Sequence, residues 1–218
     1  MIDTYRTIRQ EGRDEYVVSR SRFIGWSKPI SAEEEALAFI EQIRKMHRDA
    51  SHNVWAYAFG SDRERFSDDG EPQGTAGIPV LEVIRKEALH NVAVVVTRYF
   101  GGVKLGASGL VRAYTHSAKA ALDAGVLIER RPFLSFQILA DYAFAEKLRR
   151  AFPRQGYTLQ NTEYRDQVSL TVLIPPGEEL ALRALAAEVT AGQAQVLQGP
   201  DAFQDFLLHD GADAPPDA

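Results

Sequence analysis

The 218-residue chain has no cysteine, only two tryptophans and two methionines, and no long apolar run. Without cysteine there can be no disulfide, no zinc thiolate and no thiol nucleophile, and a reducing cytosol is compatible. No apolar stretch approaches the ~18 residues of a membrane span. The opening Met1-Ile2-Asp3-Thr4-Tyr5-Arg6 has no apolar signal core. The expectation is a cytoplasmic protein with no membrane partner. The chain also lacks an excess of positive charge. Its formal charge is −5, and residues 201–218 carry Asp201, Asp205, Asp210, Asp213 and Asp217 with no Lys or Arg. Setting those five acids aside leaves 25 against 25 Lys plus Arg. A basic field over the whole surface is therefore excluded, and a local basic patch is not.

What is present suits one or two domains, with an apolar fraction of 45% sufficient for a buried core. Short β-type runs occupy residues 3–30. Ser31 followed by Glu34 reads as a capping box, with Ala36, Phe39, Ile40, Ile43 and Met46 at helical spacing behind it. Val54 to Phe59 reads as a strand, and residues 61–75 as a long polar loop. Pro79 fits the first turn of a helix that buries Leu81, Ile84 and Leu89. Val92-Ala93-Val94-Val95-Val96 predicts a strand covered on both faces. A helix follows from Ser108 to about Asp123, with Gly125 at its C′ position and Leu110, Val111, Tyr114, Ala118, Ala121 and Leu122 toward the core. Composition changes at Glu129-Arg130-Arg131-Pro132, which places a domain boundary there. The order after it is βαββαβ, the split βαβ or ferredoxin-like unit. The expected division is 1–130, 131–208 and a frayed acidic tail over 209–218.

Two glycine-dense stretches carry the chemistry. Phe66-Ser67-Asp68-Asp69-Gly70-Glu71-Pro72-Gln73-Gly74-Thr75-Ala76-Gly77 brings three acids together. Asp68, Asp69 and Glu71 could hold Mg²⁺ or supply a general base, or they could form a turn and pair with Arg98 or Lys104. The second stretch joins the buried strand to a helix N-terminus, a generic anion site. Gly101 to Ser108 reads G-x-x-x-x-G-A-S and misses the phosphate-binding P-loop, because Ala107 stands where lysine is required. Arg112, His116 and Lys119 share one helix face. The expected ligand-binding set is Arg98, Gly101, Gly102, Lys104, Gly106, Ser108 and Arg112, with Gly74, Thr75 and Gly77 from the first stretch. The five histidines contain no H-x-x-x-H pair and the chain has no G-x-S-x-G elbow, so neither a helical metal pair nor a serine hydrolase is indicated.

The two stretches, the second taken as Val95-Val96-Thr97-Arg98-Tyr99-Phe100-Gly101-Gly102-x-x-Leu105-Gly106-x-x-Gly109-Leu110-Val111-Arg112-Ala113-Tyr114, resemble the YigZ/IMPACT family, also called uncharacterised protein family 0029. Ser21-Arg22-Phe23-Ile24 and His52-Asn53-x-Trp55-Ala56 are similar to its smaller motifs, and Arg20 stands where many relatives have lysine. The resemblance covers residues 5–200. It implies an α+β protein of two domains, the first ribosomal protein S5 domain 2-like and the second ferredoxin-like, similar to late domains of elongation factor G. Eukaryotic members regulate the amino-acid-starvation response by binding the activator of a translation-initiation-factor kinase. Three readings follow. The first is a translation-related regulator that binds RNA or the ribosome through an anion-binding glycine loop, with no cofactor. The second is a metal-assisted enzyme acting on a phosphate-containing small molecule. The third is a module for a protein partner. The lack of a recognisable nucleophile, P-loop or metal-ligand pair favours binding over catalysis, and the first reading is put ahead.

Overall fold

The computed structural model describes residues 4–208. The acidic tail expected over 209–218 lies outside the described residues. The chain divides into two compact units, one formed by Tyr5–Arg130 with the described residues from Asp205 onward, the other by Arg131–Gln204.

The first unit begins with β1 (Tyr5–Ile8), β2 (Gly12–Val18) and β3 (Ser21–Pro29), then α1 (Glu33–Met46), β4 (His52–Phe59), β5 (Arg63–Ser67), α2 (Gly77–Lys86), β6 (Val92–Tyr99) and α3 (Gly106–Ala124). A five-stranded sheet runs in the order β2-β3-β6-β4-β5, every neighbouring pair antiparallel. Successive side chains of a strand point to opposite faces. Val92, Val94 and Val96 accordingly pack with the core that contains Val80, Ile84, Leu110, Tyr114 and Ala118 of α2 and α3. Ala93 and Val95 pack with Ala36, Phe39, Ile40 and Ile43 of α1. All of Val92–Arg98 is buried, so the continuous apolar run is the central strand it predicts. Each fully buried Val or Ile there contributes about 1.5–3 kcal/mol. α3 lies directly on β3, because a Cβ at Gly25 would come 2.3 Å from the Ser117 carbonyl oxygen.

Several local expectations are corrected. Ser31 pairs with Glu35, not Glu34: its backbone N–H and hydroxyl both donate to the Glu35 carboxylate, at 2.8 and 2.9 Å. Met46 and Val111 are exposed, not core. The long polar loop contains β5, an edge strand whose charged sequence Arg-Glu-Arg-Phe-Ser hid it. Gly125 is the C-cap of α3 at φ −75°, and the left-handed residue is Val126 at φ +64°. Gly125 is required for space instead, since a Cβ would meet Ile8 at 2.9 Å.

The second unit contains most of β7 (Leu127–Ala140), then α4 (Tyr142–Arg154), β8 (Thr158–Tyr164), β9 (Val168–Ile174), α5 (Glu179–Thr190) and β10 (Gln195–Gln198), followed by β11 (Ala202–Leu207). The βαββαβ order is as expected. Its strands lie in the order β10-β7-β9-β8, all antiparallel, with Leu148, Phe152 and Leu182 of the helices over Phe136, Ile138, Leu170 and Val172. The boundary near residues 129–132 falls inside β7, which runs unbroken from Leu127 to Ala140. Its first four residues pair with β1 and its later ones with β9 and β10. No linker marks the change of unit. β11, unanticipated from sequence, pairs with β7, and Asp205 forms an ion pair with Arg130 at 2.8 Å. Residues 205–208 therefore group with the first unit and not with 131–204.

Candidate functional site

The first glycine stretch leaves β5 and enters α2. Asp68 accepts from the backbone N–H groups of Gly74, Ala76 and Gly77 at 2.9, 3.1 and 2.8 Å. Its carboxylate thereby caps α2, whose N-cap residue Ala76 has no side chain able to do so. Asp69 accepts from Arg44 at 2.9 Å and from the Asn53 backbone N–H at 2.6 Å. Its own carbonyl is 2.9 Å from His52 Nδ1. The Thr75 hydroxyl donates to the Pro72 carbonyl at 2.6 Å, and the Thr75 N–H to the same oxygen at 3.1 Å. The N–H groups of Gly74, Thr75 and Gly77 are thus consumed within the protein, which removes these three residues from the expected ligand-binding set.

Glu71 turns inward. It is 8% exposed, and its Oε1 accepts from Arg98 at 2.6 Å and from the Tyr114 hydroxyl at 2.7 Å, while Oε2 lies 3.8 Å from His52 Nε2. Burial, and then the charge of Glu71, push the Tyr114 phenol well above its ordinary value. Arg98 is 5% exposed and packs against Phe23 and Phe100, its guanidinium carbon 5.3 and 5.5 Å from the ring centroids. Arg98 is therefore a buried partner of Glu71 and not an anion clamp. The pair joins the first stretch to the end of β6. Asp68, Asp69 and Glu71 each serve separate partners. Among the described residues no group of three or more His, Asp or Glu side chains is placed to hold a metal ion, and of the alternatives open for these acids the turn and ion-pair reading is the one the geometry matches.

The second stretch is built differently. Gly101 lies against the β2–β3 turn, where a Cβ would come 2.0 Å from the Arg20 carbonyl carbon, and its N–H donates to Ser21 Oγ at 3.2 Å. That bond takes Gly101 out of the expected donor set. Gly102 and Gly106 have φ of +81° and +70°, conformations suited to glycine, and a Cβ on either would meet nothing within 4 Å. α3 starts with no side-chain cap, and Leu105 as its N-cap cannot provide one. The N–H groups of Gly106, Ala107 and Ser108 have no protein acceptor among the described residues. Along the side of the first turns of α3 runs a cleft of about 440 Å³, lined by Tyr16, Val18 and Ser19 of β2 and its turn, Lys104 and Leu105 of the loop, and Gly109, Arg112 and Ala113 of α3; Gly102, Gly106 and Ser108 are not in its lining. No carboxylate lines it. Lys104 and Arg112 are exposed and form no ion pair among the described residues, whereas Lys119, farther along α3, pairs with Asp123 and lies 3.7 Å from Glu87. His116 packs on Tyr16 with centroids 4.3 Å apart. The three-residue cationic face reduces to Arg112.

Sequence reasoning missed Ser21 and Tyr114 as partners in the buried cluster, while His52 is the partly buried hydrogen-bonding group that its place before a strand suggested. The only signal for Ser21 and Tyr114 was position, because each falls within a quoted motif although it carries no chemistry on its own. Among the described residues no helix is long and apolar enough to cross a membrane.

The geometry can be set beside known proteins. Residues 19–122 match the family model of the Impact N-terminal domain, and residues 138–193 match a domain of unknown function, DUF1949. The chain is 37% identical to the IMPACT family member YvyE of Bacillus subtilis over 91% of its length and 93% of the relative's. It is 32% identical to the IMPACT family member YigZ of Escherichia coli, over 83% of this chain and 90% of that one. The Protein IMPACT homolog of Dictyostelium discoideum is 30% identical over 48% of the chain, which spans only 30% of that longer protein. A solved structure described as a hypothetical protein superposes with a TM-score of 0.59 at 29% identity, over 90% of this chain and 98% of the other.

Proposed function

The chain belongs to the IMPACT family, and on that premise we propose that it is a translation-related regulatory protein that grips RNA phosphates at the cleft beside Lys104 and Arg112. One observation carries the reading: Lys104 and Arg112, cations without an ion pair among the described residues, line a cleft along the first turns of α3 that has no acid in its lining, and the start of that helix is uncapped. A helix N-terminus favours an anion by about 0.3–1 kcal/mol, and charged donors strengthen such contacts. The binding set shrinks from the sequence expectation to Gly102, Lys104, Gly106, Ser108 and Arg112. The absence of cysteine fits a cytoplasmic setting. We carry the resemblance further in reading the first unit as ribosomal protein S5 domain 2-like. The strand order β10-β7-β9-β8 supports a ferredoxin-like second unit.

The enzyme reading loses support because Asp68, Asp69 and Glu71 are each engaged in caps or ion pairs. The test is titration of a labelled oligouridylate at two salt concentrations. Wild type should bind with an affinity that falls as salt rises. Lys104→Ala and Arg112→Ala should each bind more weakly and with a shallower salt dependence, by about 0.7 in log–log slope per lost phosphate contact. Binding by both variants equal to wild type, or no binding by any form, would overturn the reading and move a protein partner ahead.

A further inference from the structure

We propose that Phe100 is a stacking platform for an unpaired base, so that this site takes single-stranded nucleic acid in preference to duplex or free polyphosphate. The inference rests on the phosphate-gripping reading above and names the group that must lie beside the phosphate.

Phe100 is the first residue after β6 and is 49% exposed. Its ring is not a loose surface side chain. The Arg98 guanidinium carbon lies 5.5 Å from its centroid and 5.3 Å from that of Phe23, which is fully buried, so the ring packs on a buried cation. Glu71 holds the Arg98 guanidinium at 2.6 Å, and the Phe100 N–H donates to Ser51 Oγ at 3.1 Å. The ring therefore has a fixed inner layer, and half of its surface is left to solvent. Ordering such a platform in advance removes an entropic cost from binding.

The surroundings supply the complementary charge. Gly101, next in sequence, abuts the backbone of Arg20, an exposed residue whose side chain forms no ion pair among the described residues. Lys104 and the open cleft follow on the same loop. Val103 beside them is also exposed, at 43%. An aromatic face next to a cationic track is the arrangement single strands recognise: bases stack on the ring while phosphates follow the cations. A duplex hides its base faces in its own stack and offers only phosphates and groove edges. Polyphosphate offers no ring at all.

The experiment compares three probes at two salt concentrations: a labelled oligouridylate, the same strand annealed to oligoadenylate, and inorganic polyphosphate. Phe100→Ala should weaken oligouridylate binding about ten-fold and leave its salt dependence unchanged. It should leave polyphosphate binding as in wild type. Phe100→Trp should restore oligouridylate binding, and its added fluorescence should be quenched by oligouridylate and not by polyphosphate. Phe100→Trp keeps a ring over Arg98 and should keep the wild-type melting temperature, whereas Phe100→Ala uncovers Arg98 and should lower it modestly, so binding is compared at a temperature where both variants are folded. If Lys104→Ala and Arg112→Ala weaken oligouridylate while Phe100→Ala binds like wild type, stacking is wrong and the phosphate reading stands. Wild type binding duplex as tightly as single strand would also overturn stacking. If wild type binds none of the probes, the stacking inference falls together with the reading beneath it.

Discussion

The two glycine-dense loops are alike in composition and opposite in construction. In the first, each acid faces inward to partners of its own: Asp68 caps α2, Asp69 holds Arg44, and Glu71 is buried against Arg98 and Tyr114. Its backbone donors at Gly74 and Gly77 are already used. In the second, Gly102 and Gly106 border open space, Lys104 and Arg112 have no acid partner among the described residues, and the start of α3 is uncapped. Glycine density marks both loops as special without saying which kind of special each is. What distinguishes them is where the hydrogen bonds go, because a polar group already satisfied inside the protein is not available to a ligand. The first loop is a latch, and the second leaves its cations and helix start without protein partners, as the proposed RNA contact requires.

The largest expected effect strikes the latch. Glu71→Ala leaves Arg98, only 5% exposed, as a buried cation without its carboxylate. Removing one partner of a buried ion pair costs about 3–5 kcal/mol. Urea unfolding followed by circular dichroism should show a loss of that size. A loss below about 1 kcal/mol would mean that the latch does not hold the two loops together, and the contrast drawn above would fail.

Tyr114→Phe probes the same latch more gently. It removes a 2.7 Å hydrogen bond to a charged group, and such bonds are worth about 1.5–3 kcal/mol. It also has a pH signature. The folded-state value of Tyr114 is raised, by burial first and the charge of Glu71 second, above the ordinary phenol value of about 10. In the window above pH ~10 the unfolded chain therefore binds fewer protons than the folded one, and stability falls as pH rises. Wild type should lose stability through this alkaline range, and Tyr114→Phe should lose it less steeply. The slope should not vanish, because Tyr57, donating to Glu33 and pushed up to about 12, contributes to the same leg. Identical alkaline profiles for the variant and wild type would show that Tyr114 is not held as the geometry indicates.

The sequence was most legible where one residue type decides the outcome. The β-branched Val92–Val96 run suggested a strand covered on both sides, and β6 is that strand. The βαββαβ order after residue 130 was readable from periodicity, while β5 was hidden because an edge strand of Arg63-Glu64-Arg65-Phe66-Ser67 has no apolar alternation to reveal it. The candidate site was half legible. Lys104 and Arg112 sit where the loop-to-helix reading put them. Arg98 does not act with them, because it pairs with Glu71, one of the alternatives open for that acid in the sequence, and the β5–β4–β6 pairing brings the two together across 27 residues. Gly101 and Gly102 are adjacent and look equivalent in sequence, yet one is pressed on the Arg20 backbone and the other faces open space. That difference is set by the β2–β3 turn, from a distant part of the chain.

The smallest expected change in stability is also the sharpest test of the comparison. Lys104→Ala and Arg112→Ala remove exposed side chains with no ion pair among the described residues. Surface substitutions away from buried features usually alter stability by no more than about 0.5 kcal/mol. Removing a cation from beside an uncapped helix start can even relieve repulsion, since the partial positive charge there disfavours a second positive group. Both variants should therefore unfold at wild-type urea concentrations or slightly above, in contrast to Glu71→Ala. The same two substitutions are expected to weaken oligouridylate binding, so stability and binding should separate cleanly at the second loop and not at the first. A clear destabilisation by either variant would mean that these cations serve the fold, and that the second loop is another latch.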